Sequence, residues 1–389
     1  MKRVGIITLF NNNYNCGGIL QALALQEVIK KFGYECEIIN YKRNILSEPI
    51  NENKLKKLIK KVNNIESKGD VINLLLKPMD KFFNKKISNE ILERKTKYKK
   101  FIDSNVSYTK EVDHSTIYKI NENFDIFVCG SDQIWRPSTF DPNYYLAFAK
   151  DDKRKFSYAA SIGANELTKK EKERIEPLIN KLNYISLRER SSINIIQSLT
   201  EKKVENVLDP TLLLEKDYWK KFVTNKTVKG KYIFSYLIGE NNKNRDIVKK
   251  IAKKVGLPIV TIPGVSRILP YDFLYGNINM TSSAPNDFIN LIANSSMVIT
   301  DSFHATVFSI IFGKKVYVLE RFKKSDRMSM NSRIYDLLDL FDMQENLLDE
   351  QKANKIEKIE LQKPIKIDFS RWNQMKMKSL KYIEKGLNS

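Results

Sequence analysis

VGIITLFNNNYNCGGILQALALQEVIKKFGYECEIINY, residues 4–41, contains an apolar run, a polar loop, an amphipathic segment and a second apolar run. The two apolar runs predict strands, and the apolar residues from Ile19 to Ile29 keep helical spacing between them. Gly33 provides the stop that ends this helix. Strand, helix and strand in this order form a βαβ unit, whose strands lie parallel with a right-handed crossover. The segment therefore predicts an α/β fold.

The same alternation continues along the chain in two further series. The first series predicts strands at 124–132, 154–163, 184–190 and 204–214, with helices near 168–182 and 191–199. The second predicts strands at 231–239, 257–264, 296–301 and 314–320, helices at 243–255, 285–294 and 302–312, and a final helix near 370–386. Two such series predict two Rossmann-like domains that face each other across a cleft, which is a GT-B-like architecture.

The series also predict the domain boundaries. We expect an N-terminal Rossmann-like domain at 1–220, a second one at 221–365, and a C-terminal helix at 366–389 that packs back on the first domain. A helical insertion rich in Lys and Asn is expected at about 50–105. Its basic faces fit either a solvated surface or contact with an anionic membrane.

Composition restricts the classes of protein that this chain can belong to. A length of 389 residues suits two domains of ordinary size, and 42% apolar residues are enough for two cores. The longest apolar stretch, Met297–Leu319, is interrupted by charged residues, so we expect no membrane-spanning helix. Three cysteines without a C-x-x-C pair and two histidines give no reason to expect a metal or a cofactor.

The charge is strongly basic. The chain has 67 Lys and Arg residues against 46 Asp and Glu residues, which gives a net charge of +21. Because no nucleic-acid-binding module is present, we expect no nucleic-acid partner. The excess fits compositional drift, and it also suits peripheral contact with an anionic membrane. The expected location is the cytoplasm, with the inner face of the membrane as the alternative.

Two loops follow predicted strands at the edge where open α/β sheets bind ligands. In NNNYNCGG (11–18), Asn15, Gly17 and Gly18 fit either an anion site at a helix N-terminus or an ordinary capped turn. The second loop, GSDQIWRP (130–137), offers a carboxylate, an amide, an indole and a guanidinium for sugar recognition. These groups belong to Asp132, Gln133, Trp135 and Arg136. In the alternative interpretation of this loop, Trp135 fills the core.

TDSFHATVFSIIFG (300–313) contains the candidate acid/base. Asp301 and Ser302 can cap the following helix, which places His304 in its first turn. The positive end of the helix dipole disfavours an imidazolium there, whereas a bound anionic ester favours one. His304 is therefore a candidate for proton transfer, with a buried structural histidine as the alternative.

Two further segments have candidate roles. SLRER (186–190) places Arg188 at the end of an apolar strand, where it can bind a phosphate or carboxylate or form a salt bridge. LDPTLLL (208–214) predicts a turn that closes the first domain, with a structural role for Asp209.

Taken together, these motifs resemble the polysaccharide pyruvyl transferase family. The resemblance spans residue 1 to about 320 and rests on the order and spacing of five segments. They are NYNCGGILQALALQ, GSDQIW, ISLRER, VLDPTLLL and TDSFHATVFSIIFGKKV. It implies a GT-B-like fold, phosphoenolpyruvate as donor, and transfer of pyruvate as a cyclic ketal onto a sugar diol, with release of phosphate. The implied acceptor is a cell-surface glycan or its lipid-linked precursor.

The resemblance also implies roles for individual residues. His304 would be the catalytic acid/base, and Arg188 would bind the donor. Some family members have an arginine two residues before the histidine, where this chain has Ser302. A further donor-binding cation is therefore expected among Arg321, Arg327 and Arg333.

The first domain would bind the acceptor. Asp132, Gln133 and Trp135 would hold it, and Asp132 is a possible base for its hydroxyl. Two other functions remain open from the sequence: a GT-B glycosyltransferase that uses a nucleotide sugar, and a glycan-binding homologue without catalysis.

Overall fold

The structure is a computed structural model. It describes residues 2–43, 87–224, 227–264, 269–323, 326–363 and 367–388, together with 67, 71, 72, 75, 76 and 85. Most of the expected helical insertion, residues 50–86, lies outside the described residues.

Two parallel six-stranded sheets form the centres of the two halves of the molecule. The first sheet has the order β2-β1-β5-β6-β7-β8 and the second the order β11-β10-β9-β12-β13-β14, while β3 and β4 form a small separate pair. The predicted α/β class, with two Rossmann-like sheets in a GT-B-like arrangement, is confirmed. The strands are β1 Arg3–Ile7, β2 Glu35–Ile38, β3 Tyr41–Lys42, β4 Val112–Asp113, β5 Ile126–Asp132, β6 Arg154–Ala160, β7 Ile185–Leu187, β8 Val204–Asn206, β9 Ile233–Tyr236, β10 Ile259–Thr261, β11 Ile278–Asn279, β12 Met297–Thr300, β13 Val316–Leu319 and β14 Leu347–Leu348.

Helices connect and cover these strands. They are α1 Cys16–Lys31, α2 Ser88–Asn105, α3 Lys169–Ile179, α4 Ile193–Gln197, α5 Lys216–Lys220, α6 Asn242–Val255, α7 Asp272–Tyr275, α8 Pro285–Asn294, α9 Phe303–Ile311, α10 Ser332–Leu340, α11 Glu350–Lys355, α12 Lys358–Gln362 and α13 Ser370–Asn388. No helix among the described residues has the length and apolar character needed to span a bilayer.

The predicted elements agree with most of these bounds. The strand expected at 204–214 is an exception, because β8 ends at Asn206 and the chain turns into a 3₁₀ helix at Pro210–Leu212. Pro210 lacks the N–H that a continuing strand needs, and Asp209 caps the turn by accepting a hydrogen bond from the amide of Thr211.

The two halves share an apolar interface. Helix α1 packs against α8 and α9 of the second half, and one buried cluster contains residues from both sheets. Helix α2 strengthens this connection, because Arg94 donates hydrogen bonds to the carbonyls of Pro263 (2.7 Å), Gly264 (3.0 Å) and Thr281 (2.5 Å).

The C-terminal helix α13 lies against the first sheet. Tyr382 donates a hydrogen bond of 2.9 Å to the carbonyl of Ser157 on β6. Ser379 accepts one of 2.9 Å from the amide of Leu208, just after β8. Gly386 lies so close to Phe156 that a Cβ there would be 2.9 Å from the ring. The chain therefore returns to its first half after completing the second.

Candidate active site

The carboxyl ends of the strands of both sheets bring polar residues together between the two halves. Asp132 is the last residue of β5, Arg188 follows β7, and Asp209 follows β8. From the second half, His304 lies in the first turn of α9 after β12, and Arg321 follows β13. This is the edge at which open α/β sheets bind ligands.

Asp209 lies at the centre of these contacts. Its Oδ1 accepts hydrogen bonds from the backbone N (3.0 Å) and the hydroxyl (2.5 Å) of Thr211. Its Oδ2 accepts one of 2.7 Å from Nη1 of Arg188, and lies 3.5 Å from Nε2 of His304. Ser131 donates a further bond of 3.4 Å to Oδ2. One carboxylate therefore faces a basic side chain from each half of the molecule.

The charges of this group are strongly coupled. Burial raises the pKa of Asp209, but the positive charges of His304 and Arg188 outweigh it and hold that pKa well below its usual range. Burial lowers the pKa of Arg188, but Glu189, Asp209 and Asp132 raise it above its usual value. Glu189 lies 3.2 Å from Nε of Arg188, and Asp132 lies 3.5 Å from its Nη2.

His304 occupies a narrow position between the halves. Its side chain is 9% exposed, and its Nε2 is buried without a hydrogen-bond partner among the described residues. A Cβ on Gly17 of α1 would lie 2.2 Å from its Nδ1, so only glycine leaves room for the ring at that position. The adjacent Phe303 contacts the guanidinium of Arg188, whose Cζ is 4.5 Å from the ring centroid.

Further arginines lie around Asp209 and His304, and some of their nitrogens have no hydrogen-bond partner among the described residues. The Nε atoms of Arg136, Arg321 and Arg333 and Nη2 of Arg188 are buried and have no hydrogen-bond partner among the described residues. Arg321 pairs with Asp301, whereas Arg333 and Arg136 form no ion pair within the described part of the chain. We call Arg136, Arg188, His304, Arg321 and Arg333 the cationic cluster.

The pKa values of two arginines reflect this surplus of positive charge. Burial, together with the charges of Arg321 and Arg188, lowers the pKa of Arg333 to about 9, although Asp132 and Glu189 oppose the fall. Burial also lowers the pKa of Arg136, with Asp326 opposing and Arg321 reinforcing the effect. Buried cations without counter-ions are costly, so this arrangement suits a bound anion.

A cavity of about 420 Å³ lies beside the cluster. Arg188, Asp209, Phe303 and Arg333 form its wall toward the site, and residues of α10 and α13 form its other walls. His304 does not line this cavity, so the cavity adjoins the acid/base without containing it. Within the described ranges, no group of three or more His, Cys, Asp or Glu residues could hold a metal ion.

A comparison with protein families decides the assignment. The model of the family described as polysaccharide pyruvyl transferase matches residues 15–321. The chain belongs to the polysaccharide pyruvyl transferase family. The matched span contains Asp132, Arg188, Asp209 and His304, whereas Arg333 lies beyond it.

Comparisons with individual proteins give more distant likenesses. None of the curated proteins matches this chain significantly. A Listeria monocytogenes protein assigned as a UDP-N-acetylglucosamine 2-epimerase is 14% identical with a TM-score of 0.48, covering 92% of this chain and 91% of its own. The UDP-GlcNAc 2-epimerase of Neisseria meningitidis is 13% identical with a TM-score of 0.43, covering 100% and 99%. An E. coli heptosyltransferase is 9% identical with a TM-score of 0.36, covering 87% and 99%. Likenesses this distant provide no argument about chemistry.

Several residues predicted for the site of this family member do lie together. Asp132, Arg188 and His304 meet around Asp209, and Arg321 and Arg333 act on one another electrostatically. Gln133 and Arg136 lie side by side near Gly163, each 3.7 Å from the position of a Cβ there.

Trp135 is a correction, because it does not present a ring face to a sugar. It is 2% exposed, stacks on Tyr145 with ring centroids 5.0 Å apart, and donates its indole N–H to the carbonyl of Tyr144 at 3.0 Å. A buried indole with its N–H satisfied is a core residue, so the functional prediction for Trp135 was wrong.

The interpretation of the loop at 11–18 as an anion site is also wrong. The side-chain oxygen of Asn15 accepts hydrogen bonds from the amides of Gly17 (2.9 Å) and Gly18 (3.3 Å), and so caps α1. Those amides are therefore not available to a ligand. Gly17 matters for a different reason, because it leaves space for the His304 ring.

Asp301 and Ser302 have structural contacts in the site. Both carboxylate oxygens of Asp301 accept hydrogen bonds from backbone amides, those of Ile238 (2.7 Å) and Gly239 (2.8 Å). Ser302 is the cap of α9 and accepts from Ala305 at 3.4 Å. These contacts give both residues a structural role, and their assignment to substrate binding stays a prediction.

Arg327 lies apart from the buried arginines, because it is partly exposed and pairs with Glu171 at 3.0 Å. Conversely, the sequence interpretation missed the position of Asp209 in the site and gave it only a structural role. Its place in the loop after β8, directly before a proline, was the signal that it lies at the ligand-binding edge of the sheet.

Proposed function

We propose that this family member transfers the pyruvyl group of phosphoenolpyruvate to a sugar diol and releases phosphate. The observation that carries the proposal is the cationic cluster, in which five buried nitrogens have no hydrogen-bond partner among the described residues: Nε of Arg136, Arg321 and Arg333, Nη2 of Arg188, and Nε2 of His304. Phosphoenolpyruvate has a phosphate and a carboxylate at the two ends of a small molecule. Planar guanidinium groups bind both kinds of anion in a bidentate manner.

The binding of the donor follows from the distribution of charge. Arg333 and Arg136 have no carboxylate partner within the described part of the chain, so the donor would supply the missing negative charge. Arg188 already pairs with Asp209, and its Nη2 lies 3.5 Å from Asp132 without forming a hydrogen bond, so this nitrogen could still donate one to the donor. Arg333 is our candidate for the cation that Ser302 does not provide.

The chemistry then needs an acid, a base and a leaving phosphate. His304 donates a proton from Nε2 to the methylene carbon of phosphoenolpyruvate, which becomes a methyl group and leaves C2 electrophilic. A sugar hydroxyl forms a C–O bond to C2 and gives up its proton, for which Asp132 is the candidate base. The C2–O bond to phosphate breaks, phosphate leaves, and the second hydroxyl closes the ketal. Its proton leaves with phosphate or returns to His304.

The acceptor would bind on the side of the first sheet. Asp132 and Gln133 are both partly exposed at the carboxyl end of β5, where they can contact hydroxyl groups. Trp135 takes no part, since it lies in the core. A glycan or its lipid-linked precursor is the proposed acceptor class, in keeping with the family.

The test is a transfer assay with purified protein, phosphoenolpyruvate and a panel of hexosides. We expect release of phosphate and a pyruvyl mass increase on one acceptor class. His304→Ala should lower the rate by about 10²–10⁴-fold, the range for a general acid. His114→Ala is the matched control, because His114 is exposed and its hydrogen bond is to Asn143, at 3.2 Å.

Other outcomes would select other functions. Binding of a nucleotide sugar without binding of phosphoenolpyruvate would contradict the proposal and indicate a glycosyltransferase. Binding of donor and glycan without turnover on any acceptor would indicate a glycan-binding homologue. A fully active His304→Ala protein would remove the role assigned to the histidine.

A further inference from the structure

Asp209 combines two features that an ordinary turn-capping aspartate lacks. Oδ1 performs the capping by accepting both hydrogen bonds from Thr211. Oδ2 is left for the site, where it binds Nη1 of Arg188 at 2.7 Å and faces Nε2 of His304 at 3.5 Å. The side chain of Asp209 is 0% exposed, so water does not weaken these interactions.

The two cations on Oδ2 come from different halves of the molecule. Arg188 follows β7 in the first sheet, and His304 begins α9 after β12 in the second. At 3.5 Å, Nε2 of His304 is close enough to Oδ2 for strong attraction but forms no hydrogen bond. Its proton is therefore not committed to Asp209 and can be directed at a substrate.

We propose that Asp209 is a positioning residue, which holds the His304 imidazole and the Arg188 guanidinium on one carboxylate oxygen and so fixes the acid and the donor-binding arginine relative to each other. The consequence of this role for the reaction rests on the proposed function. The electrostatic effect of Asp209 on His304 is a property of the protein alone and does not depend on the reaction.

Other charged groups also surround His304. Arg188, Arg333 and Arg321 on neighbouring elements disfavour an imidazolium, and the N-terminus of α9 does the same. Glu189 and Asp132 are engaged with Arg188 at 3.2 and 3.5 Å. Asp209 is the carboxylate that lies within ion-pair distance of His304 among the described residues.

A closely matched control exists in the same chain. Asp141 is also buried, also precedes a proline, and also caps a 3₁₀ helix, accepting from the amide of Asn143 at 3.0 Å. Its second oxygen accepts from the hydroxyl of Tyr41 at 2.8 Å and contacts no cation among the described residues. Asp141→Asn therefore reproduces the loss of a buried capping charge away from the site.

The experiment is an NMR titration of the imidazole signals in histidine-labelled protein without any ligand. The chain has two histidines, and His114→Gln assigns the signals. In Asp209→Asn the titration midpoint of the His304 signals should fall, because the carboxylate that faces Nε2 is removed and Arg188 keeps only Glu189 and Asp132 as counter-ions. Asp141→Asn should leave the His304 midpoint in place, and Asp209→Glu should restore most of the wild-type value.

An unchanged His304 midpoint in folded Asp209→Asn would overturn the inference. If Asp209→Asn does not fold, the pH dependence of unfolding of wild type and His304→Gln serves instead. The stability difference between these two proteins should favour wild type at low pH and shrink as pH rises and the imidazole deprotonates. A difference that does not depend on pH would equally contradict the inference.

These outcomes are separable from those of the proposed function. A fallen midpoint together with no phosphoenolpyruvate turnover would refute the reaction and leave the role of Asp209 intact. Where turnover is observed, Asp209→Asn should lower kcat and move the pH optimum to lower pH, with a smaller effect on the KM for the donor. A residue that served only the fold would not move the pH optimum.

Discussion

Replacement of Arg333 by Met should make the ligand-free protein more stable. The pKa of Arg333 is lowered from its usual value to about 9, and at roughly 1.4 kcal/mol per pKa unit the charged form is disfavoured by about 5 kcal/mol. Local relaxation reduces this cost, so we expect a gain of about 1–4 kcal/mol in the free energy of unfolding. Between about pH 9 and the usual pKa of arginine the unfolded state binds more protons than the folded state, so stability rises with pH in that window. At pH 7 the full free-energy cost of burying the charged Arg333 side chain is present.

The assay is urea unfolding at pH 7 with and without phosphoenolpyruvate. Wild type should gain about 2.7 kcal/mol at a donor concentration 100 times its Kd, and Arg333→Met should gain much less at the same concentration. Arg327→Met is the control, because its ion pair with Glu171 is partly exposed and its loss should cost at most about 1 kcal/mol. A less stable Arg333→Met protein with an unchanged gain from the donor would refute the reasoning.

Three further predictions concern single residues. Gly17→Ala would place a Cβ 2.2 Å from Nδ1 of His304, so it should lower turnover at least about 10-fold while circular dichroism shows a folded protein. Unchanged turnover would contradict the close fit. Trp135→Ala should cost about 3–5 kcal/mol in urea unfolding and leave donor affinity unchanged, because the indole is in the core. A loss of donor affinity in the folded variant would return Trp135 to the site. The pKa of Asp209 is held below the ordinary value of 3.8, so its stabilising contribution is present at neutral pH and is lost as pH falls below that value. The stability difference between wild type and Asp209→Asn should therefore shrink under acid, and a difference that grows would be contrary.

The fold could be predicted because its signals are local. The βαβ segment at 4–41, the helix at 285–294 and the final helix near 370–386 each follow from hydrophobic spacing within one segment. Short elements such as β11, β14 and α10 were not predicted, because two-residue strands and a helix flanked by irregular chain show little hydrophobic periodicity.

The site was predictable only in part, because its geometry depends on long-range contacts. His304, Arg188 and Asp132 stand at strand ends, and strand ends can be identified from sequence. The contact of Asp209 with His304 joins residues 95 positions apart from different sheets, which no local pattern reports. Trp135 and Asn15 were misassigned because a side chain at a strand end can point into the core or cap a helix as readily as bind a ligand.

The most direct test of the account is the transfer reaction run in D₂O with phosphoenolpyruvate and an active acceptor. Protonation of the methylene carbon by His304 predicts that the product contains at least one solvent deuterium in its new methyl group, as measured by mass spectrometry, and that His304→Ala forms little product. A pyruvylated product without solvent deuterium, or one formed equally well by His304→Ala, would contradict the account.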